Sequence, residues 1–360
     1  MDTKSMNERP DMSLTNLLVE VGRDPTARDA IVAALASWED RHQEQRDGVD
    51  LRETVTGPLV DALYRADGVV TRRLASGILF TLPYLSKIAR EFAMGVEPLG
   101  HVWEPQTSRL LVALAERAKT VVVGGAYAGD QAVLIASVIA TRGGKVHCFE
   151  LNPPQLSALH LNAKQNGLGN VVVNAMGLWD RIGHIELVGH DSHAFPRVVA
   201  AESTNSFPVT TIEHYAEKGK ISNVDLIMLD IEGGEEHALR GAMRFLEQPS
   251  EEAPDIVFEI HSSYVDWSNG LRETSIVRLL TDRGYAVYAL RDFQANVAMP
   301  ANAELEFVRL DAAILAGPAH GFNMFATKRA GALSQLGAKT LDNVSPKLLR
   351  HRLSNVHQPG

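Results

Sequence analysis

Residues 121–130 read VVVGGAYAGD, a short run of valines that ends in a glycine-rich turn. A continuous apolar run of this length is typical of a buried strand, and glycines let the chain turn tightly and let a ligand approach the backbone. Further strands are predicted over 145–150 and 171–173, with helix-length segments between them, and over 224–230, after a region at 178–215 that breaks this rhythm. This alternation indicates βαβ units, so we predict a doubly wound α/β domain built on a parallel sheet.

The chain has 360 residues, more than one domain of ordinary size requires. We predict a helical N-terminal region over residues 1–96, the α/β domain over 97–330 and a C-terminal tail over 331–360. The helical prediction includes a long segment over 71–94, interrupted by a proline. The N-terminal helices are expected to pack on the α/β domain, to act as a lid, or to mediate dimerisation.

The net charge and the sequence near the N-terminus indicate which kinds of partner and which cellular location to expect. The formal net charge is −9, and the middle of the chain has no cluster of Lys and Arg of the kind that binds phosphates, which argues against nucleic acid. We expect neither a secretory signal nor a membrane span, and therefore a cytoplasmic enzyme with a small-molecule substrate. Cys148 is the single cysteine, so no intramolecular disulfide can form.

The glycine turn has the spacing Gly125-x-x-x-Gly129 rather than the Gly-x-Gly-x-x-Gly that binds a pyrophosphate. A ligand without a pyrophosphate is therefore favoured. Glu150 ends the second strand, roughly twenty positions after the turn, where a carboxylate can accept hydrogen bonds from both hydroxyls of a ribose. Together they predict a nucleoside site. A plain tight turn and a surface acid are the alternative interpretations.

Two further strands end in side chains that can carry chemistry. Asp230 ends the predicted strand at 224–230, Glu232 follows it two positions later, and Glu259 and His261 end the next strand. Alternate strand residues share a face, so all four are expected at one cleft as catalytic residues and as candidate metal ligands. Paired carboxylates hold a metal, orient a substrate or share protons, and a histidine suits a general base. Anchoring of the loop and capping of the next helix are the structural alternatives.

Taken together, the glycine turn, the ribose acid and the acidic strand ends resemble motifs of the FkbM-type methyltransferases. The resemblance rests, in chain order, on residues 123–130, 148–153, 161–168, 209–212, 224–235, 239–242 and 257–261. Its most specific part is the Asp-x-Glu-Gly block at 230–233 followed by Leu-Arg-Gly-Ala at 239–242. It covers about residues 100–330 of the chain.

The pattern along the chain predicts seven strands in a doubly wound sheet, with those at 285–290 and 322–327 as a late antiparallel edge pair. The resemblance implies that this sheet has the class I, Rossmann-like methyltransferase fold. It implies S-adenosylmethionine as cofactor and O-methylation of a sugar or natural-product hydroxyl. The methionine part would lie at the glycine turn, the ribose on Glu150, the adenine near 174–177, and Asp230 near the methyl-transfer centre. The implied cofactor-binding residues are Glu104, Gly125, Ala126, Tyr127, Gly129, Asp130, Glu150, Leu151, Asn152, Met176, Gly177 and Asp230.

The sequence departs from the family at Val123, where the family has Asp, and at Tyr127, where it has Asn. Three functions therefore stay open: the methyltransferase, an NAD-dependent oxidoreductase that shares the turn and the ribose acid, and a non-catalytic methyltransferase-like module. For the first, His261 or Glu232 is the expected base. A divalent metal on Asp230, Glu232, Glu259 or His261 stays open, and so does a homo-oligomer formed through the N-terminal helices.

Overall fold

The computed structural model describes residues 14–42, 49–64, 68–188, 195–199, 203, 205–219, 221–293, 295–300, 302–315 and 320–348. Its helices are α1 Leu14–Gly22, α2 Pro25–His42, α3 Gly57–Leu63, α4 Lys87–Ala93, α5 Pro105–Ala115, α6 Ala132–Ile139, α7 Pro153–Gln165, α8 Ile212–Gly219, α9 Glu235–Arg240, α10 Met243–Leu246, α11 Ser275–Thr281 and α12 Ala332–Gln335. None of the helices in these ranges combines the length and the apolar character that a bilayer crossing requires.

The strands are β1 Val69–Arg73, β2 Leu79–Pro83, β3 Thr120–Gly124, β4 Lys145–Phe149, β5 Val171–Asn174, β6 Gly177–Leu178, β7 Gly183–Val188, β8 Phe195–Val199, β9 Ser206–Thr210, β10 Leu226–Leu229, β11 Asp255–His261, β12 Ala286–Leu290, β13 Asp292–Phe293, β14 Leu305–Val308, β15 Gly321–Thr327, β16 Ala338–Leu341 and β17 Lys347–Leu348. Four of them, in the order β6-β9-β7-β8, form a small separate sheet between β5 and β10 in the chain.

The main sheet has nine strands among the described residues, in the order β16-β14-β12-β15-β11-β10-β3-β4-β5. The run from β11 to β5 is parallel, and β15 lies antiparallel between β11 and β12. The predicted mixed α/β fold is confirmed. The predicted count of seven strands is wrong, because β14 and β16 extend the sheet beyond β12. The late antiparallel pair therefore lies inside the sheet rather than at its edge.

Both faces of this sheet are buried, because successive side chains along a strand point to opposite faces and each face packs on helices. Val121 and Val123 belong to one apolar cluster with α5 and α6, whereas Val122 belongs to a second cluster with α8, α9 and α11. Helices thus cover both faces, as the continuous valine run predicts for a parallel sheet. The carboxyl ends of β3, β4, β10 and β11 consequently meet at one edge, which is where ligands bind in open α/β sheets.

The N-terminal region is not wholly helical. The predicted helix over 71–94 is wrong: β1 and β2 form an antiparallel hairpin, and only α4 of that segment is helical. Burial alternates along β2, and Phe80 and Leu82 are fully buried. A strand therefore buries these apolar residues as well as a helix would. Residues 1–13 lie outside the described chain.

The predicted C-terminal tail is partly built into the fold. The strand β16 pairs with β14 in the main sheet, and β17 pairs with β13. The second pairing places Lys347 opposite Asp292. Residues 349–360 lie outside the described residues.

Candidate active site

The glycine turn lies directly against the loop that carries Asp230. Gly125 and Gly129 have φ angles of 72° and 87°, which L side chains rarely adopt. A Cβ atom on Gly125 would lie 1.7 Å from the backbone oxygen of Asp230. Only glycine fits this contact, so the structure brings the predicted turn and Asp230 together. The backbone amides of Gly125 and Ala126 both donate to the Phe149 carbonyl, which fixes the turn at the end of β4.

Glu150 holds the same turn from the next strand. One carboxylate oxygen accepts a hydrogen bond from the Tyr127 amide at 2.9 Å, and the other accepts from the Leu151 and Asn152 amides at 2.8 Å each. Burial raises the pKa of Glu150, and the three backbone bonds oppose that shift. The first oxygen keeps a lone pair beyond its one backbone bond, so a ribose hydroxyl can still donate to it.

Tyr127 leaves the turn on the side of the N-terminal region. Its ring packs against the apolar cluster that includes Phe80 and Phe92, and its hydroxyl lies 3.0 Å from the Ser86 hydroxyl. Its φ of 45° is unusual for a bulky residue. The departure from the family at this position therefore couples the turn to the N-terminal region rather than placing a ring in the middle of the turn.

The other expected cofactor residues follow the turn or lie near the ends of β4 and β5 in the chain. Asp130 directly follows Gly129 and is buried, which raises its pKa to about 6. The predicted adenine segment is close to the end of β4, because a Cβ atom on Gly177 would lie 3.7 Å from the Leu151 side chain. Met176 is half-buried and Asn152 is exposed.

Asp230, Glu232 and Glu259 converge as predicted, although not for the predicted reason. The strand β10 ends at Leu229, and Glu232 sits in a turn with a φ of 53° rather than on a continued strand. One ligand atom of each of these three acids lies within 4.8 Å of the others. Burial and then the neighbouring acids raise the pKa values of Asp230 and Glu259 well above their ordinary range.

Two residues that the sequence did not single out support this acidic group. The Glu235 carboxylate accepts hydrogen bonds from the Ile231 and Gly233 amides at 2.7 and 3.0 Å, which holds the turn that carries Glu232. The Tyr264 hydroxyl donates to the Glu232 carboxylate at 3.1 Å. Tyr264 lies in the loop after β11, whose path a strand-end motif does not predict.

His261 shares a strand with Glu259 but is not a member of the three-acid group. Its Nδ1 accepts a hydrogen bond from the Ser263 amide at 2.9 Å. A neutral ring bonded in this way carries its proton on Nε2, so neither nitrogen is placed to take a second proton. The geometry therefore disfavours His261 as the base.

Two further charged residues, Glu104 and Lys347, interact electrostatically with the acids of the candidate site. Glu104 precedes α5 with a φ of 44°, and burial, followed by the charges of Asp292, Asp230 and Asp130, raises its pKa well above the ordinary range. Lys347 comes from β17 and is half-buried; burial lowers its pKa to about 8, while Glu259 and Glu104 act in the opposite direction. Lys347 is not among the residues predicted for the site, because it lies in the predicted C-terminal tail.

Residues 124–287 match the family model described as "Methyltransferase FkbM domain". The match confirms the resemblance drawn from the motifs and spans slightly less than half of the chain. A search of curated protein sequences gave no significant match.

Several solved structures are similar. Methyltransferase FkbM from Methylobacillus flagellatus KT has 19% identity and a TM-score of 0.30, over 39% of this chain and 32% of that one. Precorrin-6y C5,15-methyltransferase from Geobacter metallireducens GS-15 has 17% identity and a TM-score of 0.33, over 61% and 88%. The O-methyltransferase from Bacillus cereus in complex with SAH has 13% identity and a TM-score of 0.35, over 62% and 80%. This chain thus aligns with about a third of the Methylobacillus protein.

Proposed function

We propose that this chain transfers a methyl group from S-adenosylmethionine to a hydroxyl of a small, sugar-containing acceptor, with residues 124–287 as its FkbM-type domain. The observation that carries the proposal is the group formed by Asp230, Glu232 and Glu259 beside the Gly125 turn. Acids at this edge of the sheet stand where an open α/β sheet binds its ligand. The family match disfavours the oxidoreductase alternative.

The residues around the turn fit this cofactor. S-adenosylmethionine carries a sulfonium and an ammonium charge, and buried acids with raised pKa values are stabilised by a cationic ligand. Glu150 would bind the ribose, and the turn from Gly125 to Gly129 would hold the methionine part. Leu151, Asn152, Met176 and Gly177 would surround the adenine.

The protein then has to position the acceptor and take its proton. When bound, the cofactor supplies a methyl carbon, and the acceptor oxygen forms its bond to that carbon as the carbon–sulfur bond breaks. Glu232 is the proposed base for the hydroxyl proton, since Ser263 occupies Nδ1 of His261. Asp230 and Glu259 orient the acceptor by accepting hydrogen bonds from its other hydroxyls.

A divalent cation is the alternative use of the same acids. Asp230, Glu232 and Glu259 offer the carboxylate oxygens that such an ion prefers, and it would ease loss of the acceptor proton. Unchanged turnover after treatment with a chelator would assign the acids to proton transfer and orientation, whereas a loss restored by Mg²⁺ or Mn²⁺ would assign them to a metal.

The acceptor is proposed to be rich in hydroxyl groups. Carboxylates accept hydrogen bonds from hydroxyls, and the Tyr264 ring beside Glu232 offers an apolar face with a polar end. This combination suits a sugar, whose surface alternates between hydroxyl edges and C–H faces.

Transfer of a radiolabelled methyl group to a panel of glycosides and polyols tests these roles. We expect Asp230→Asn and Glu232→Gln to lower kcat at least about 100-fold, the range of a lost proton acceptor or orienting charge. His261→Ala should lower it less than about tenfold. Full turnover in all three variants would contradict the assignment. No binding of S-adenosylmethionine or S-adenosylhomocysteine by the wild-type protein would favour the non-catalytic module instead.

A further inference from the structure

The N-terminus of α5 is capped from another part of the chain. Glu104 occupies the N-cap position but makes no side-chain capping bond. The Asp292 carboxylate does so instead, accepting hydrogen bonds from the Gln106 amide at 2.9 Å and from the Thr107 amide at 2.7 Å. Because Asp292 satisfies these amides, the Glu104 carboxylate is released from the usual capping role.

Asn323 holds the released carboxylate. It lies on β15 directly opposite Glu259 on β11, and its Nδ2 donates to the Glu104 carboxylate at 2.8 Å and to the Thr107 hydroxyl at 3.0 Å. The Thr107 hydroxyl gives its own proton to Asp292, at 2.7 Å. Both neighbours of Nδ2 are therefore acceptors, so the Asn323 amide cannot be reversed without losing both bonds.

This orientation leaves Oδ1 of Asn323 without a hydrogen-bond partner among the described residues, although the side chain is only 1% exposed. A buried carbonyl oxygen without a donor is costly. Beside it, Glu104 forms no ion pair within the described part of the chain; the charges of Asp292, Asp230 and Asp130 act on it, and so does the opposite charge of Lys347 from β17. These two adjacent acceptors, within electrostatic range of Asp230 and Asp130, thus favour a cationic ligand with several N–H groups.

We propose that Asn323 is a positioning residue that fixes the Glu104 carboxylate to receive the α-ammonium group of the methionine part of the cofactor, with Oδ1 of Asn323 accepting a second N–H from that group. The proposal rests on the proposed function, since it assigns one subsite of the same cofactor. An ammonium group supplies three donors and a positive charge, which suits a carboxylate and an adjacent carbonyl. A hydroxyl of the acceptor would satisfy only one of the two oxygens.

Titration calorimetry with two ligands separates this subsite from the rest of the cofactor site. S-adenosylhomocysteine carries the α-ammonium group, whereas 5′-methylthioadenosine keeps the adenosine and the thioether but lacks the amino-acid part. Glu104→Gln is expected to weaken binding of S-adenosylhomocysteine by roughly 10- to 100-fold, the range for hydrogen bonds to a charged group, and to leave methylthioadenosine within about twofold. Asn323→Leu should weaken S-adenosylhomocysteine by roughly 3- to 10-fold with the same selectivity.

Thr327→Val is the matched control, because Thr327 is a buried hydroxyl residue on the same strand, at the end away from Asn323, and should bind both ligands as the wild type does. Asn323→Ser replaces Asn323→Leu if circular dichroism shows that the latter does not fold. Equal weakening of both ligands, or unchanged binding of S-adenosylhomocysteine by Glu104→Gln, would overturn the proposal. Wild-type affinities in the folded Asn323 variants would overturn the positioning role. If the wild-type protein bound neither ligand, the proposed function itself would fail.

Discussion

At the scale of single residues, backbone amides rather than charges organise the candidate cofactor site. Glu150 accepts three amide hydrogen bonds, and Glu235 accepts two. Each acid thereby fixes one of the two turns that meet at the Asp230 backbone. Glu150, the carboxylate proposed to bind the ribose, therefore also holds the backbone of the turn beside it.

The buried carboxyl of Asp130 gives a pH-dependent prediction. Its pKa rises from the ordinary value of 3.8 to about 6 on folding, mainly through burial, so the folded protein binds this proton more tightly than the unfolded chain does. The free energy of unfolding contributed by Asp130 is therefore largest below pH 4, falls as the pH rises from about 4 to 6, and is level above. The fall amounts to at most about 3 kcal/mol.

Urea denaturation of the wild type and of Asp130→Asn at pH 4, 5, 6 and 7 measures this contribution. The variant does not titrate at this position, so the wild type should lose stability relative to it across the window from pH 4 to 6. A stability difference that is the same at all four values would show that Asp130 is not desolvated in the folded protein.

Sequence patterns predict the acids of the candidate site but not the residues that hold those acids in place. Asp230 and Glu232 directly follow β10, and Glu259 lies near the end of the adjacent β11, so local sequence motifs identify all three. Asn323 reaches Glu104 only through the antiparallel register of β15 with β11, and Tyr264 reaches Glu232 only through a loop. Residues placed by long-range pairing carry no local signal.

At the scale of elements, the β1–β2 hairpin is attached to the α/β domain through amide side chains of α7. Asn162 accepts a hydrogen bond from the Thr81 amide at 2.8 Å, and it donates to the carbonyls of Thr81 at 3.0 Å and Ala128 at 2.8 Å. Gln165 and Asn166 bind the backbone of Leu79 in the same manner. Side chains of α7 thus provide the hydrogen-bond partners for the outer edge of β2. The spacing of apolar residues over 71–94 does not indicate this long-range contact.

Asn162→Ala is expected to destabilise the protein by about 2 kcal/mol, because it leaves the buried carbonyl of Ala128 and the partly buried backbone groups of Thr81 without partners. Since Ala128 belongs to the glycine turn, the affinity for S-adenosylhomocysteine should fall as well. Lys164→Ala, an exposed position on the same helix, is the control for thermal and chemical denaturation. Equal stability of the two variants would mean that these amide bonds do not hold the hairpin.

At the scale of the whole molecule, the fold class was predictable and the extent of the sheet was not. The valine run and the alternating helices led directly to the parallel sheet. The strand β16 is short, with no fully buried residue, and belongs to the sheet only through its pairing with β14. The same C-terminal segment then brings Lys347 to the acidic cleft. Self-association through the N-terminal helices stays a prediction.

We propose that the Gly125 turn, Glu150 and the three acids Asp230, Glu232 and Glu259 form one S-adenosylmethionine site. A crystal structure of the complex with S-adenosylhomocysteine tests it most directly. We predict that the ribose hydroxyls lie on Glu150, the ammonium group on Glu104, and the sulfur faces Asp230, Glu232 and Glu259. A ligand bound elsewhere, or one whose sulfur is turned away from the three acids, would contradict the account.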